Sequence, residues 1–263
     1  MNHRIYTPLQ IREIFHLEFL RWFGRKLGAD SYVLKGGVNS RLFFKSIRYS
    51  EDMDIDIQGA RVERVKKTVM DILSAPRGFA DSLKSFGIER IVSPDLTKAK
   101  QTETTQRFKI HLLTATGEDF FTKIEFSRPG LKGSQTVESV SNEILRAYKM
   151  APLLVSHYDA ASAVAQKIQA LAQRTILQAR DIFDLFILSS QYERPKQSKI
   201  EINRTILQTA HDNIFLVEFP RFRDTVVAYL GAEDQKVYSS PSAWDEIKLR
   251  TAHFLEEFRH ENK

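Results

Sequence analysis

Apolar residues recur at helical spacing over residues 9–27, carried by Ile11, Ile14, Phe15, Leu17, Phe19, Leu20, Trp22 and Phe23. Thr7 is placed to cap this helix, and Pro8 to take its first position, where a missing N–H costs nothing. The pattern then shortens. Tyr32, Val33 and Leu34 form an apolar run before Gly36-Gly37, and an amphipathic piece through Leu42, Phe43 and Phe44 follows. This order predicts a strand, a glycine turn and a short helix. Residues 53–57 alternate strictly between apolar and acidic, the period of a strand with one buried face, and residues 62–73 return to helical spacing. β-branched and aromatic residues crowd 88–92, 104–115 and 120–126, which predicts three strands. The last two form a hairpin around Gly117, with 116–119 as its loop.

From about Asn142 the texture changes. Residues 144–148, 158–173, 179–188, 200–210, 222–230 and 243–258 read as helices, and strand signals nearly vanish. Strands with a few helices first and helices alone afterwards predict an α+β domain over 1–140 and a helical domain over 141–263, the boundary lying between Gly133 and Pro152.

Composition narrows the class without naming it. A chain with 42% hydrophobic and 27% charged residues can fold around an ordinary core, so disorder is not expected. The absence of cysteine excludes disulfides and thiolate metal sites and fits the cytoplasm. Arg4, Arg12, Glu13 and Glu18 interrupt the first apolar residues, so no signal peptide is expected. No stretch approaches the roughly 18–20 apolar residues that cross a bilayer, so no membrane partner is expected. The net charge of +6 favours an anionic partner such as a nucleotide or nucleic acid.

The chemistry concentrates on the acidic strand. Asp52, Asp54 and Asp56 share one side of it, while Met53, Ile55 and Ile57 share the other. Residues two apart stand about 6.5–7 Å apart along a strand, and aligned carboxylates raise one another's pKa. A divalent cation offsets that repulsion, and oxygen ligands select Mg²⁺ or Mn²⁺. Asp also forms strands poorly, and such conflicts with local propensity cluster at functional sites. The Gly36-Gly37 turn before the strand opens a helix whose first N–H groups suit phosphate oxygens. A plain surface strand with a solvated face remains the alternative for these residues alone.

Gly-Gly followed by a helix bearing Ser40-Arg41-Leu42-Phe43, then Arg48-x-Ser50-x-Asp52-x-Asp54, resembles the AbiEii/AbiGii group of bacterial nucleotidyltransferase toxins within the polymerase-β-like superfamily. The resemblance implies a polymerase-β-like core, a mixed sheet with flanking helices, followed by a helical domain. It implies that Asp52 and Asp54 are catalytic and bind metal, with Gly36, Gly37, Ser40, Arg41 and Ser50 lining the nucleotide. The family's first motif often carries Gly-Ser where this chain has Gly36-Gly37, a departure that leaves the hydroxyl contact open, with Ser40 as a candidate substitute. Polymerase-β-like sites add a third acid from a neighbouring strand. Glu125, between Ile124 and Phe126 on a strand pattern, is the candidate for catalysis and metal, ahead of Asp119.

A second stretch runs from Lys167 through Arg174 to Arg180-Asp181-x-x-Asp184. If the segment is helical throughout, Lys167, Arg174 and Asp181 recur every seven residues on one face, and Arg180 and Asp184 pair across a turn. A solvated helix face laced with ion pairs is the plainer reading of the charges alone. The stretch resembles the carboxy-terminal motif of the same toxins, which implies that Lys167 is catalytic and reaches the triphosphate, with Arg174, Arg180, Asp181 and Asp184 shaping or bracing the nucleotide site. The two motifs together cover roughly residues 30–190. The seven histidines have no ligand spacing, and neither Gly-x-Ser-x-Gly nor a Walker motif is present.

The expected activity is Mg²⁺- or Mn²⁺-dependent transfer of a nucleotidyl group from an NTP to an acceptor. The resemblance implies transfer RNA or another RNA as that acceptor and a cognate antitoxin as partner. Two other readings stay open: a non-catalytic RNA- or protein-binding module on a degenerate nucleotidyltransferase fold, and a nucleotidyltransferase acting on a small, antibiotic-like molecule.

Overall fold

The computed structural model describes residues 6–75, 77–97, 99–128, 133–192 and 202–261, which fold as two units. The first comprises Met1–Leu42 and Tyr49–Tyr158, and the second Phe43–Arg48 and Asp159–Lys263. The expected boundary near residue 140 is therefore corrected to 158/159, with one short early segment assigned to the later unit. The reason lies in two strands that local pattern does not announce.

The first unit is built on seven strands: β1 (Tyr32–Lys35), β2 (Asp52–Ile57), β3 (Ile88–Val92), β4 (Thr105–Thr114), β5 (Asp119–Ser127), β6 (Gln135–Ser139) and β7 (Leu154–Tyr158). They form one mixed sheet in the order β3-β4-β5-β2-β1-β7-β6. β2 runs antiparallel to β1 and parallel to β5, and β7 runs parallel to β1. β6 and β7 escape the sequence reading because β6 is polar and exposed at the sheet edge, while β7 is a five-residue run leading straight into a helix. β7 takes its place from β1, far earlier in the chain, and β6 pairs only with β7, so nothing local marks either.

Helices α1 (Pro8–Leu27), α2 (Gly36–Phe43), α3 (Val62–Leu73), α4 (Phe79–Lys84) and α5 (Asn142–Ala147) complete this unit. α1 starts as its sequence predicts: the Thr7 hydroxyl accepts from the Gln10 backbone N–H while the Gln10 side chain accepts from the Thr7 N–H. Its aromatic ridge forms the core of one sheet face. The Phe23 ring lies 5.3 Å from that of Phe126 on β5, and Phe15 and Phe19 both pack on Phe79 of α4. Met53, Ile55, Phe108, Ile110 and Ile124 are fully buried on the apolar side of their strands.

His16 of α1 is an exception inside this core. Its Nε2 lies 2.9 Å from Thr122 Oγ1, and the Thr122 hydroxyl proton is already donated to Glu51 O at 2.7 Å, so Nε2–H must be the donor to Thr122. Burial first, and the Arg12 charge second, push the His16 pKa down to about 3. The unfolded chain takes up this proton near its ordinary pKa of 6.5, whereas the folded protein refuses it until about pH 3. His16 therefore adds full stability above about pH 6.5, progressively lost as pH falls toward 3. Urea midpoints measured from pH 7 to pH 4 should fall more steeply in the wild type than in a His16→Gln variant.

The second unit consists of α6 (Ala160–Gln173), α7 (Ala179–Ser189), α8 (Arg204–Phe215), α9 (Phe219–Thr225), α10 (Ala232–Tyr238) and α11 (Pro241–Glu261). Asp159 caps α6, accepting from the Ser162 N–H at 2.7 Å, so the helix begins after Tyr158 rather than at it. The predicted helix at 200–210 is found as α8; residues 200 and 201 lie outside the described residues. The one predicted at 222–230 resolves into α9 and a 3₁₀ turn, Val227–Tyr229. Trp244 centres the core: its ring stacks on Phe222 at 4.3 Å, and its indole N–H donates to Val217 O at 2.9 Å.

Candidate active site

β2 enters the sheet with Met53 and Ile55 buried and Asp52 and Asp54 half-buried on the opposite side, as strand periodicity requires. The parallel register sets Asp54 directly beside Glu125 of β5, and Asp52 beside Lys123. Lys123 Nζ lies 3.0 Å from Asp52 Oδ2 and 3.8 Å from Glu125 Oε2. Arg107 of β4, opposite Glu125, donates Nε–H to Glu125 Oε2 at 2.6 Å. The sequence reading thus places Glu125 correctly next to the acidic pair, but it misses Lys123 and Arg107, which neutralise part of that charge. Their signal was their spacing: Lys123 is two residues before Glu125, on the same side of the strand.

Asp54 differs from its neighbours. Burial pushes its carboxyl above the usual range, Lys35 opposes this, and Glu125 and Asp52 push further up. Asp52 Oδ1 is buried without a hydrogen-bond partner. Gly36 begins α2 at a φ of +69°, and a Cβ there would lie 2.9 Å from Asp54 Oδ2. Both the left-handed backbone and the close carboxylate demand glycine. Gly36→Ala should therefore cost on the order of 1–2 kcal/mol in backbone strain, before the Asp54 side chain is displaced. A urea titration of the purified variant checks this, and an unchanged midpoint would contradict it.

Asp56, third on the strand, has another task. It is buried and accepts from Lys35 Nζ at 2.5 Å, Ser127 Oγ at 2.7 Å and Tyr158 Oη at 2.8 Å, so it braces β1, β5 and β7 around β2. The Ser40 hydroxyl is buried and donates back to Gly36 O at 3.4 Å within α2. Arg41 turns to the buried Glu13, donating Nε–H to Oε1 at 2.7 Å, and lies over the Tyr49 ring. Glu13 also accepts from Tyr148 Oη at 2.5 Å. Burial lowers the pKa of Arg41, but the Glu13 carboxylate outweighs this and raises it. Ser50 Oγ donates to Asp52 O at 2.8 Å, fixing the backbone at the start of β2.

In the second unit, α6 ends at Gln173, and Arg174 and the residues up to Gln178 are not helical. The seven-residue repeat along one continuous helix is therefore corrected. Lys167 and Asp181 still meet, because α6 and α7 pack side by side. Lys167 Nζ lies 2.6 Å from Asp184 Oδ2 and 3.0 Å from Asp181 Oδ1, and Arg174 Nε lies 3.1 Å from Asp181 Oδ2. Asp184 does not pair with Arg180, which is exposed. Its partner is Arg48, whose Nε and Nη2 donate to Oδ1 at 3.2 and 3.0 Å, with Nη2 also 3.0 Å from Oδ2. Burial would raise Asp184's pKa, but Arg48 and then Lys167 hold it below the usual range. Burial would likewise lower Lys167's pKa, yet Asp184 and Asp181 raise it. Arg48, the arginine of the first motif, is the residue whose part in this cluster the sequence reading missed.

The donor set beside Gly36 fits a divalent cation on two carboxylates. Asp52 Oδ1 has no donor, and Asp54's ionised form is opposed by its acidic neighbours. Mg²⁺ commonly takes one or two carboxylates and completes its shell with water and substrate phosphates. Among the described residues no three acidic or histidine side chains converge on one cation position. Glu125 is held by Arg107.

Comparison with known structures places this fold in a class. A crystal structure from H. pylori described as a nucleotidyltransferase superposes with a TM-score of 0.59 at 19% identity, covering 98% of this chain and 97% of that one. MenT4, a nucleotidyltransferase toxin from Mycobacterium tuberculosis H37Rv, superposes with a TM-score of 0.57 at 14% identity, covering 96% and 90%. The fold is that of the nucleotidyltransferases. The chain itself belongs to the AbiEii family, described as nucleotidyl transferase AbiEii toxin, type IV toxin–antitoxin system, whose model matches residues 18–257. It is thus a nucleotidyltransferase of a toxin–antitoxin family. No curated protein matches the sequence. Among the described residues no helix is long and apolar enough to cross a membrane.

Proposed function

We propose that this enzyme transfers a nucleoside monophosphate from an NTP to a hydroxyl of an RNA acceptor, transfer RNA being the first to test, with Asp52 and Asp54 holding Mg²⁺ or Mn²⁺. The observation that carries the proposal is the pair of carboxylates on β2, one with an orphaned buried oxygen and the other closed against Gly36 at the start of α2. Such a cation, when bound, neutralises phosphate charge and acidifies the attacking hydroxyl.

The chain's own residues supply the rest. The first N–H groups of α2 have no partner within the helix and point a partial positive charge at a phosphate. Gly36 and Gly37 let the backbone approach closely. Lys123 and Arg107 limit the repulsion between the carboxylates and an incoming polyphosphate. Asp56 and Ser50 keep the strand fixed, so the geometry needs no reorganisation as charge develops. The acceptor oxygen bonds to the α-phosphorus and gives its proton to solvent, while the bond from the α-phosphorus to the bridging oxygen breaks and pyrophosphate leaves with that oxygen.

The family description supports an antitoxin as a further partner. The test is incubation with each α-labelled NTP, Mg²⁺ and total transfer RNA. Label in the RNA supports the proposal. Label confined to protein, or found on neither, would refute the RNA acceptor.

A further inference from the structure

The acidic side of β2 passes, strand by strand, into a cationic one. The strand registers set Asp52, Lys123 and Lys109 in one lateral row, and Asp54, Glu125 and Arg107 in the next. Neighbouring strands lie ~4.8 Å apart, so Lys109 stands two such spacings from Asp52. One pair further along, His111 lies between Phe121 on β5 and Val92 on β3, with the His111 and Phe121 rings in edge contact at 5.5 Å. Arg90, opposite Leu113, ends the platform on the outer strand.

The other side of these strands is sealed. Phe108, Ile110 and Leu112 are fully buried there, and the Phe126 ring meets α1. The polar side is open: Lys109 and Arg90 are exposed, and so is the apolar Val92, at 41%. Glu125 is matched by Arg107 and Asp52 by Lys123, whereas among the described residues neither Lys109 nor Arg90 forms an ion pair. Cations near the edge strand β3 also guard that edge against pairing, but an aromatic pair set among them on one open face adds a surface that stacks bases as well as holding phosphates. A single-stranded nucleic acid matches both features, because its phosphates seek cations and its bases seek ring faces and edges.

We propose that the open face of β5, β4 and β3 is the docking platform for a single-stranded RNA end. The acceptor hydroxyl lies at Asp52 and Asp54, the preceding phosphates run over Lys123, Lys109 and Arg90, and a base rests against Phe121. This rests on the nucleotidyl-transfer reading and adds where the acceptor binds.

The test compares R90E/K109E with R64E/K66E, which makes the same charge change on exposed residues of α3. Binding of a short fluorescein-labelled single-stranded RNA is read by anisotropy over a salt series. R90E/K109E should weaken binding about tenfold or more and reduce the salt slope by about 1.4, for two lost phosphate contacts. R64E/K66E should change neither, and calorimetric NTP affinity should stay the same in both. Equal RNA affinity in the two variants, or no RNA binding by the wild type, overturns the platform. Transfer to RNA that R90E/K109E leaves unaltered also overturns it, while the transfer reading stands. If wild-type RNA binding is strong and lost in R90E/K109E, yet no label ever reaches RNA, the transfer reading fails and the platform stands.

Discussion

Asp54→Asn should abolish nucleotide transfer, by on the order of 10³-fold or more, while leaving the protein as stable as before or slightly more so. The two effects share one cause. Asp54 is pushed toward its neutral form by burial, and Glu125 and Asp52 add to this. Its charge is therefore a cost to the fold, and asparagine removes that charge at almost constant shape. Stability that survives while activity disappears marks a residue retained for chemistry rather than for packing. Asp56→Asn should do the opposite. It weakens an acceptor for Lys35, Ser127 and Tyr158, so its main effect is a lowered unfolding midpoint. Parallel label-transfer assays and urea titrations of the two variants decide the matter. Wild-type incorporation by Asp54→Asn would sink the assignment of Asp54.

Asp184→Ala should destabilise the second unit by about 3–5 kcal/mol, because it strands the buried Arg48 guanidinium and removes the nearer of the two carboxylates that hold Lys167. The expected cost comes mainly from the abandoned charges rather than from the lost attraction. Arg180→Ala, at an exposed position one turn earlier on α7, should stay within about 0.5 kcal/mol of wild type. In a Trp22→Phe background the fluorescence belongs to Trp244, which is buried in the second unit and reports its unfolding directly. Lys167→Ala separates two roles in the same experiment. Bracing Asp181 and Asp184 predicts a loss of stability of similar size. The triphosphate contact that the family resemblance implies predicts that the substitution weakens NTP binding more than Mg²⁺ binding, as read by calorimetry. Unchanged NTP affinity would confine Lys167 to the brace.

Much of the candidate site was legible because it is local. The alternation in Asp52–Ile57 announces both the strand and its two sides, and glycine at position 36 announces a turn that no other residue tolerates well. Thr7, Pro8 and Gln10 mark the start of α1 because a cap is decided within four residues. Placing Glu125 beside Asp54 went further than periodicity alone, since it needed the superfamily pattern to suggest a neighbouring strand.

The misses share the opposite property. β7 takes its place from β1, far earlier in the chain, β6 pairs with β7 alone, and the domain boundary moved to residue 158 with them. Lys167 and Asp181 meet across two packed helices, although the sequence spacing suggested one continuous helix. Arg48 joins Asp184 across 136 residues, a pairing with no local signal at all.

By itself the sequence determined the long helices, the acidic strand and the glycine that opens α2, because turns, caps and alternation are settled by neighbouring residues. The tertiary structure decided which acids are tied by several hydrogen bonds, as Asp56 and Asp184 are, and which keep an oxygen without a donor, as Asp52 does. Burial and the reach of Lys35, Lys123, Arg107 and Arg48 set the electrostatics of each carboxylate, and both depend on strands and helices brought together from far along the chain.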